Sequence, residues 1–255
     1  MRAMWILSET ALQYNLPARF WDHDPKEVTP PGITFLRNAD QLYALWFVAL
    51  QGYIEGMKAE IPFAKQIGPG AAEIQEPVTF QGKAGVSALE LTSGWMVVML
   101  AATLEAYLED ILTVAAQCQP VLMAQSPAEY RIPSSLVASA ASLTDLHREV
   151  ACLWARHWLQ ERKKPTQLLS GLMKLGVGQF RPGLDAQLYR LLGLRHLIVH
   201  RSGFVGREFI ACHPDAGYQE GDRVLIQDEE LRRFIDCTFA AFLPVERHFA
   251  PIVIM

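Results

Sequence analysis

Apolar residues recur at helical spacing through most of the chain. Leu42, Trp46, Ala49, Leu50, Tyr53 and Met57 share one face of a helix that Thr34 is placed to cap and that runs to about Glu60. From Val86 to about Gln117 the pattern predicts the longest helix. Its section Trp95 to Leu100 is apolar all round, which marks a central element or a subunit surface. Ser142 and Asp145 resemble a capping box, opening a helix to about Arg162 with Leu146, Val150, Leu153, Trp154, His157 and Trp158 inside. Pro165 suits the first turn of a short helix ending near Gly176. Another helix begins at Gly183 or Asp185 and stops before Gly203. The last begins at Asp228, carries Leu231, Phe234, Ile235, Phe239 and Phe242 inside, and is expected to end or kink at Pro244.

Turn-forming residues separate these segments. Residues 1–33, with Asp24-Pro25 and Pro30-Pro31-Gly32, read as loop around at most one short helix. Pro62, Gly68-Pro69-Gly70 and Pro77 make 61–85 the best place for a boundary or excursion. Residues 119–141 are expected to be loop. So is Gly176 to Gly183, whose two glycines lack the spacing and the strand–turn–helix context of a phosphate-binding loop. Phe204–Cys212 and Arg223–Gln227 alternate enough to predict a small β-hairpin across the turn-rich 213–222. The expectation is a mainly α protein. Residues 1–85 form an N-terminal helical extension of unassigned role, and 86–255 form a helical bundle domain carrying the hairpin after its penultimate long helix.

Composition narrows the classes. A chain of 255 residues, half of them hydrophobic and a fifth charged, suits one large globular domain or two small ones. A net charge of −4 gives no global attraction for nucleic acid, so any RNA contact has to be local. Arg148, Arg156, Arg162, Lys163 and Lys164 supply local positive charge. Such a run is a solvated face unless folding carries it to a site. The four cysteines are scattered and read as reduced thiols of a cytoplasmic protein. Met4 to Leu7 is too short for a signal peptide's apolar region. The run Trp95 to Leu104 falls well short of a membrane span, so no membrane association is expected.

The chemistry concentrates in Leu188–Gly203. Leu188, Leu191, Leu192, Arg195, Ile198 and Val199 fall on one side of a helix, so Arg195 projects from the stripe that should face a core. A guanidinium stays charged and is costly to bury alone, so it calls for a carboxylate, a phosphate or a wet cleft. His200 lies on the flank near the helix end, with His196 one turn earlier. Arg195, the polar His196, three apolar residues and His200 resemble the R-φ-x3-H signature (φ polar) of the HEPN superfamily. Met99–Leu112 is similar to an earlier helix of several HEPN families. Gly203-Phe204-Val205, Gly221–Ile226 and the final amphipathic helix follow in the usual order, so the resemblance spans about 86–243. It implies an all-helical, dimeric, metal-independent endoribonuclease. In it Arg195 binds phosphate, His200 handles protons and His196 orients the scissile group, with no cofactor. It also suggests a phage-defence or toxin–antitoxin setting, with an antitoxin or regulatory protein as a further partner.

Other readings stay open on the residues themselves. Glu105 and Glu109 lie one turn apart on one face and repel unless a cation is near. Glu105 is therefore the candidate partner of Arg195, the alternative being that both glutamates face water. His196 and His200 have metal-ligand spacing, with Cys212 and His213 a short loop away, but Leu197 stands where a zinc protease helix has its glutamate. Tyr43, Trp46, Phe47 and Tyr53 would serve either as a base-stacking platform or, following one face, as core. His23 between two aspartates reads as a solvated turn. Finally, Arg195 as a structural ion-pair residue and His200 as a helix-terminal cap would make the chain a catalytically silent helical interaction or sensor module.

Overall fold

The computed structural model describes residues 27–59, 88–124 and 131–254. His23, the Gly68-Pro69-Gly70 excursion and most of the expected extension 1–85 lie outside the described residues. What is described is mainly helical: α1 (Pro30–Ala59), α2 (Ala88–Cys118), α3 (Val121–Ala124), α4 (Ser134–Ser139), α5 (Leu143–Gln160), α6 (Pro165–Lys174), α7 (Leu184–Arg201), α8 (Arg207–Cys212) and α9 (Asp228–Ile254). They form two compact units that do not follow chain order. The first holds residues up to Asp40, Leu100–Leu192 and Arg233 onward; the second holds Gln41–Met99 and Gly193–Arg232.

Several boundaries obey local rules visible in the sequence. The Ser142 hydroxyl accepts from the Asp145 amide at 3.1 Å and starts α5, and Pro165 occupies the first turn of α6. At α1 the expectation fails by one turn. Thr29, not Thr34, caps it: the Thr29 hydroxyl accepts from the Gly32 amide at 3.0 Å. Pro30 and Pro31 fill the first turn, where a missing N–H costs nothing. Thr34 sits inside the helix and donates to the Pro30 carbonyl. Within 119–141, expected as loop, Val121–Ala124 and Ser134–Ser139 are short helices.

The larger correction follows α7. In place of the hairpin there is a single antiparallel bridge, Phe204 to Arg223, and Arg207–Cys212 coils into α8. A lone two-stranded hairpin is marginal in water. Arg207, Glu208, Ile210 and Ala211 tolerate a helix, and its Phe209 becomes buried. Of the two outcomes expected at Pro244, the last helix does not end there but continues through Pro244 and Pro251 to Ile254. Among the described residues, Glu229–Ile254 is the helix just long and apolar enough to cross a membrane by length and composition. Its buried residues Phe234, Ile235, Phe242, Val245, Glu246 and Phe249, and its exposed Arg233, Asp236 and Arg247, are the pattern of an amphipathic core helix.

The core of the first unit is aromatic. Phe35 stacks on Phe242 at 4.3 Å between centroids, with Tyr107 4.8 Å from Phe242 and Phe239 5.5 Å from Phe35. Trp154 and Trp158 of α5 are buried as expected. In the second unit Tyr43 and Trp46 are buried as well, which settles these two as core rather than a stacking platform; the side chains of Phe47 and Tyr53 lie outside the described residues.

Asp40 gives this fold a pH signature. It is 3% exposed, its Oδ2 has no hydrogen-bond partner among the described residues, and burial pushes its carboxyl up to about 6. Between the ordinary aspartate value and about 6 the folded chain holds a proton that the unfolded chain has released. This carboxyl's contribution to stability therefore falls as pH rises across that window and levels off above it. The full difference is on the order of 3 kcal/mol. Asp40→Asn, which does not ionise, should be more stable than the parent above pH 6 and lose that margin near pH 4. Urea unfolding of both proteins at pH 4.5, 6 and 7.5 measures it, and equal differences at all three would sink the assignment.

Candidate functional site

α7 enters the second unit at Gly193 and is covered there on a side that its apolar stripe does not announce. Of the expected stripe Leu188 and Leu191 are buried, but so are Leu184, Leu194 and Leu197, while Leu192 and Ile198 are only partly covered and Val199 is 53% exposed. The reason lies at Gly193. A β-carbon there would come within 2.6 Å of the His213 Nε2 and 3.3 Å of Phe209, so only glycine lets α8 and its C-terminal histidine lie against this turn. The His213 ring packs at a tilt against that of Phe209, 4.5 Å between centroids.

The helix ends as the sequence demands. Ser202 and Gly203 both take the left-handed conformation (φ 52° and 81°), and the Gly203 amide donates to the Leu197 carbonyl at 3.0 Å. From this stop the chain folds back on itself. Val205 donates to the Asp222 carbonyl, Gly221 to Val205 and Val224 to Gly203, tying the 221–224 stretch beside the end of α7.

On this scaffold His196 and His200 are both exposed, one turn apart, with ring centroids 4.7 Å from each other. Arg195 is half-buried, with its Nε inside. Five positions separate Arg195 from His200, about 140° around an α-helix and about 7.5 Å along it. One chain thus offers its guanidinium and its imidazoles on neighbouring sides of one helix, not on a single face. Glu105 is exposed on α2, in the first unit. Glu109 has its own cation: the Arg156 Nε donates to Glu109 at 2.5 Å, and this bond foremost raises the Arg156 pKa. Arg148 lies 3.7 Å from Asp145, and Arg162 stacks on Trp158 and donates to its carbonyl. Three charges of the basic run are therefore engaged in the first unit.

Cys212 and His213 do not complete a metal site. Among the described residues no three His, Cys, Asp or Glu side chains cluster as ligands. All four cysteines are free thiols. Burial pushes Cys237 up to about 12, and its Sγ–H donates to the Phe234 carbonyl, so it is no nucleophile.

Sequence reasoning missed a groove of about 390 Å³ beside the motif. Gly94, Trp95 and Val98 line it from α2, Ile198, Val199, Ser202 and Gly203 from the end of α7, and Arg223, Val224 and Ile226 from the returning stretch. The six-residue patch expected to be apolar all round thus divides. Met96, Val97 and Leu100 are buried, and Trp95 and Met99 stay exposed. No family model, no curated protein and no solved structure matches the chain.

Proposed function

We propose that the chain is a metal-independent endoribonuclease of HEPN type, acting as a two-fold dimer in which two Arg195/His200 pairs meet one RNA strand. The observation that carries the reading is the solvent-facing His196–His200 pair at the end of α7, with the half-buried Arg195 immediately before it in the helix. RNA supplies its own nucleophile, so the protein has only to move protons and hold charge. One His200 takes the proton of the 2′-hydroxyl as that oxygen attacks the phosphorus. The 5′-oxygen leaves and takes a proton from the second His200. Arg195 holds the non-bridging oxygens with its planar fork, staying charged throughout. His196, at the polar position of the motif, orients the scissile group.

The angular offset between Arg195 and His200 supports the dimer. A single helix end presents one acid–base group and, on another side, one guanidinium. A two-fold axis through this end doubles both around one cleft. The cytoplasm, and a defence or toxin–antitoxin setting with an inhibitory partner, are the context that the HEPN resemblance suggests. The purified chain, incubated in chelator with single-stranded RNA and with tRNA, should yield fragments ending in 2′,3′-cyclic phosphate and 5′-hydroxyl. A folded chain that leaves every RNA intact while capturing a protein partner would instead be the interaction module.

A further inference from the structure

The groove beside the motif is shaped for a flat, partly apolar ligand with an anion attached. Its floor and walls are mostly hydrocarbon: Val98, Ile198, Val199, Val224 and Ile226. Its volume falls within the range of about 300–1,000 Å³ typical of small-molecule pockets. Trp95 lines it with 62% of its surface exposed, an unusual place for an indole whose burial would be favourable. The remaining polar groups are Ser202, at the left-handed turn, and Arg223, whose guanidinium lies 5.8 Å from the ring of the half-exposed Phe204. All these residues belong to the second unit; Ile198 and Val199 lie in the last turn of the helix that carries Arg195 and His200, and Ser202 and Gly203 are the stop that follows it.

We infer that this groove binds one unpaired nucleobase of the RNA, stacked on Trp95, with Arg223 holding the adjoining phosphate. The inference rests on the ribonuclease reading and deepens it, naming unpaired RNA as the substrate class. Charge decides between this occupant and a second copy of the chain. Sealing an apolar groove against another protein surface strips water from Arg223 without giving it an anion, which is costly. A nucleotide brings the π-face that the indole can stack on and the phosphate that the guanidinium can grip, in one ligand. A base inside a duplex has no free face, so the groove selects loops, ends and single strands.

The test uses the full chain carrying His200→Ala, so that binding is read without cleavage. Fluorescence anisotropy with a labelled single-stranded oligonucleotide and with a blunt duplex of the same length measures the preference. The single strand should bind more tightly. Adding Trp95→Ala should weaken it about tenfold or more, Trp95→Phe should restore most of the loss, and Arg223→Ala should lower both affinity and its salt dependence. Circular dichroism keeps loss of fold apart from loss of binding. Trp95→Ala with unchanged affinity, or equal binding of duplex and single strand, overturns the inference while a cleaving parent keeps the ribonuclease reading. A Trp95→Ala chain that turns from dimer to monomer in sedimentation, its affinity per monomer unchanged, assigns the groove to a second copy instead. A parent that neither binds nor cuts RNA removes the ribonuclease reading and this inference with it.

Discussion

Arg195→Ala and His200→Ala should each leave a folded chain whose RNA cleavage has fallen by two to four powers of ten, the range expected for removing a general acid–base group or a charge clamp on phosphate. His200 is exposed on the last turn of α7, so truncating it touches no core contact and should change stability by less than about 0.5 kcal/mol. Arg195→Lys keeps the charge but loses the fork, and its activity should fall between that of parent and alanine variant. His196→Ala should cost less than either. The dimer makes a sharper demand. Titrating the His200→Ala protein into the parent creates heterodimers with a single His200, and cleavage should fall as the square of the parent fraction, not in proportion to it, if one scission draws on both subunits. Single-turnover cleavage of end-labelled RNA in chelator, with sedimentation on the same samples, measures all of this. Parent-like cutting by either alanine variant, or a monomeric parent that cuts, would end the composite-site reading.

How legible this was depends on the kind of signal. Where a backbone rule acts within four or five residues, the sequence reads correctly: Ser142 with Asp145, Pro165, the Gly203 stop and the inward Leu188 and Leu191 all stand where local chemistry puts them. Where a distant segment decides, it misleads. The alternation of Phe204–Cys212 looks like a strand, yet Phe209 and His213 find Gly193, the one turn of α7 without a side chain in the way. Leu197, one turn on from Gly193 on the same face, is buried as well, and nothing in its local pattern announces it. Pro30-Pro31 reads as a helix breaker until Thr29 is seen capping the turn that needs no amide there. The candidate site divides in the same way. His196 and His200 meet because four residues make one helical turn, whereas the groove draws on stretches about a hundred residues apart in sequence, and nothing local marks it.

Glu246 is the clearest case of a residue that only the fold explains, and its removal should be the most damaging single change to stability. It lies beyond Pro244, where the helix was expected to end or kink, and is 6% exposed. Its carboxylate accepts from the Thr29 amide at 2.5 Å, from the Thr29 hydroxyl at 3.1 Å and from the Tyr107 hydroxyl at 2.8 Å. It thereby joins α9 to α2 and to the first turn of α1. A helix N-terminus is a natural seat for a negative charge, because its amides point at the anion. Gly32 makes room for it: a β-carbon there would lie within 2.7 Å of both carboxylate oxygens. Burial, then the carboxylate charge and its hydrogen bond, hold the Tyr107 hydroxyl well above its usual pKa, so it stays a donor at any physiological pH. Glu246→Ala would leave a buried amide and a buried phenol without an acceptor, at about 1–3 kcal/mol each, and open a cavity besides. The expected loss is about 3–5 kcal/mol, a large fraction of the stability of about 5–15 kcal/mol that an ordinary domain has. Glu246→Gln keeps the volume and one acceptor and should lose about half as much, and Tyr107→Phe only about 1 kcal/mol, since it removes the donor along with the need for it. Urea unfolding followed by circular dichroism ranks the three. A Glu246→Ala protein as stable as its parent would mean that this carboxylate does not hold the three helices together.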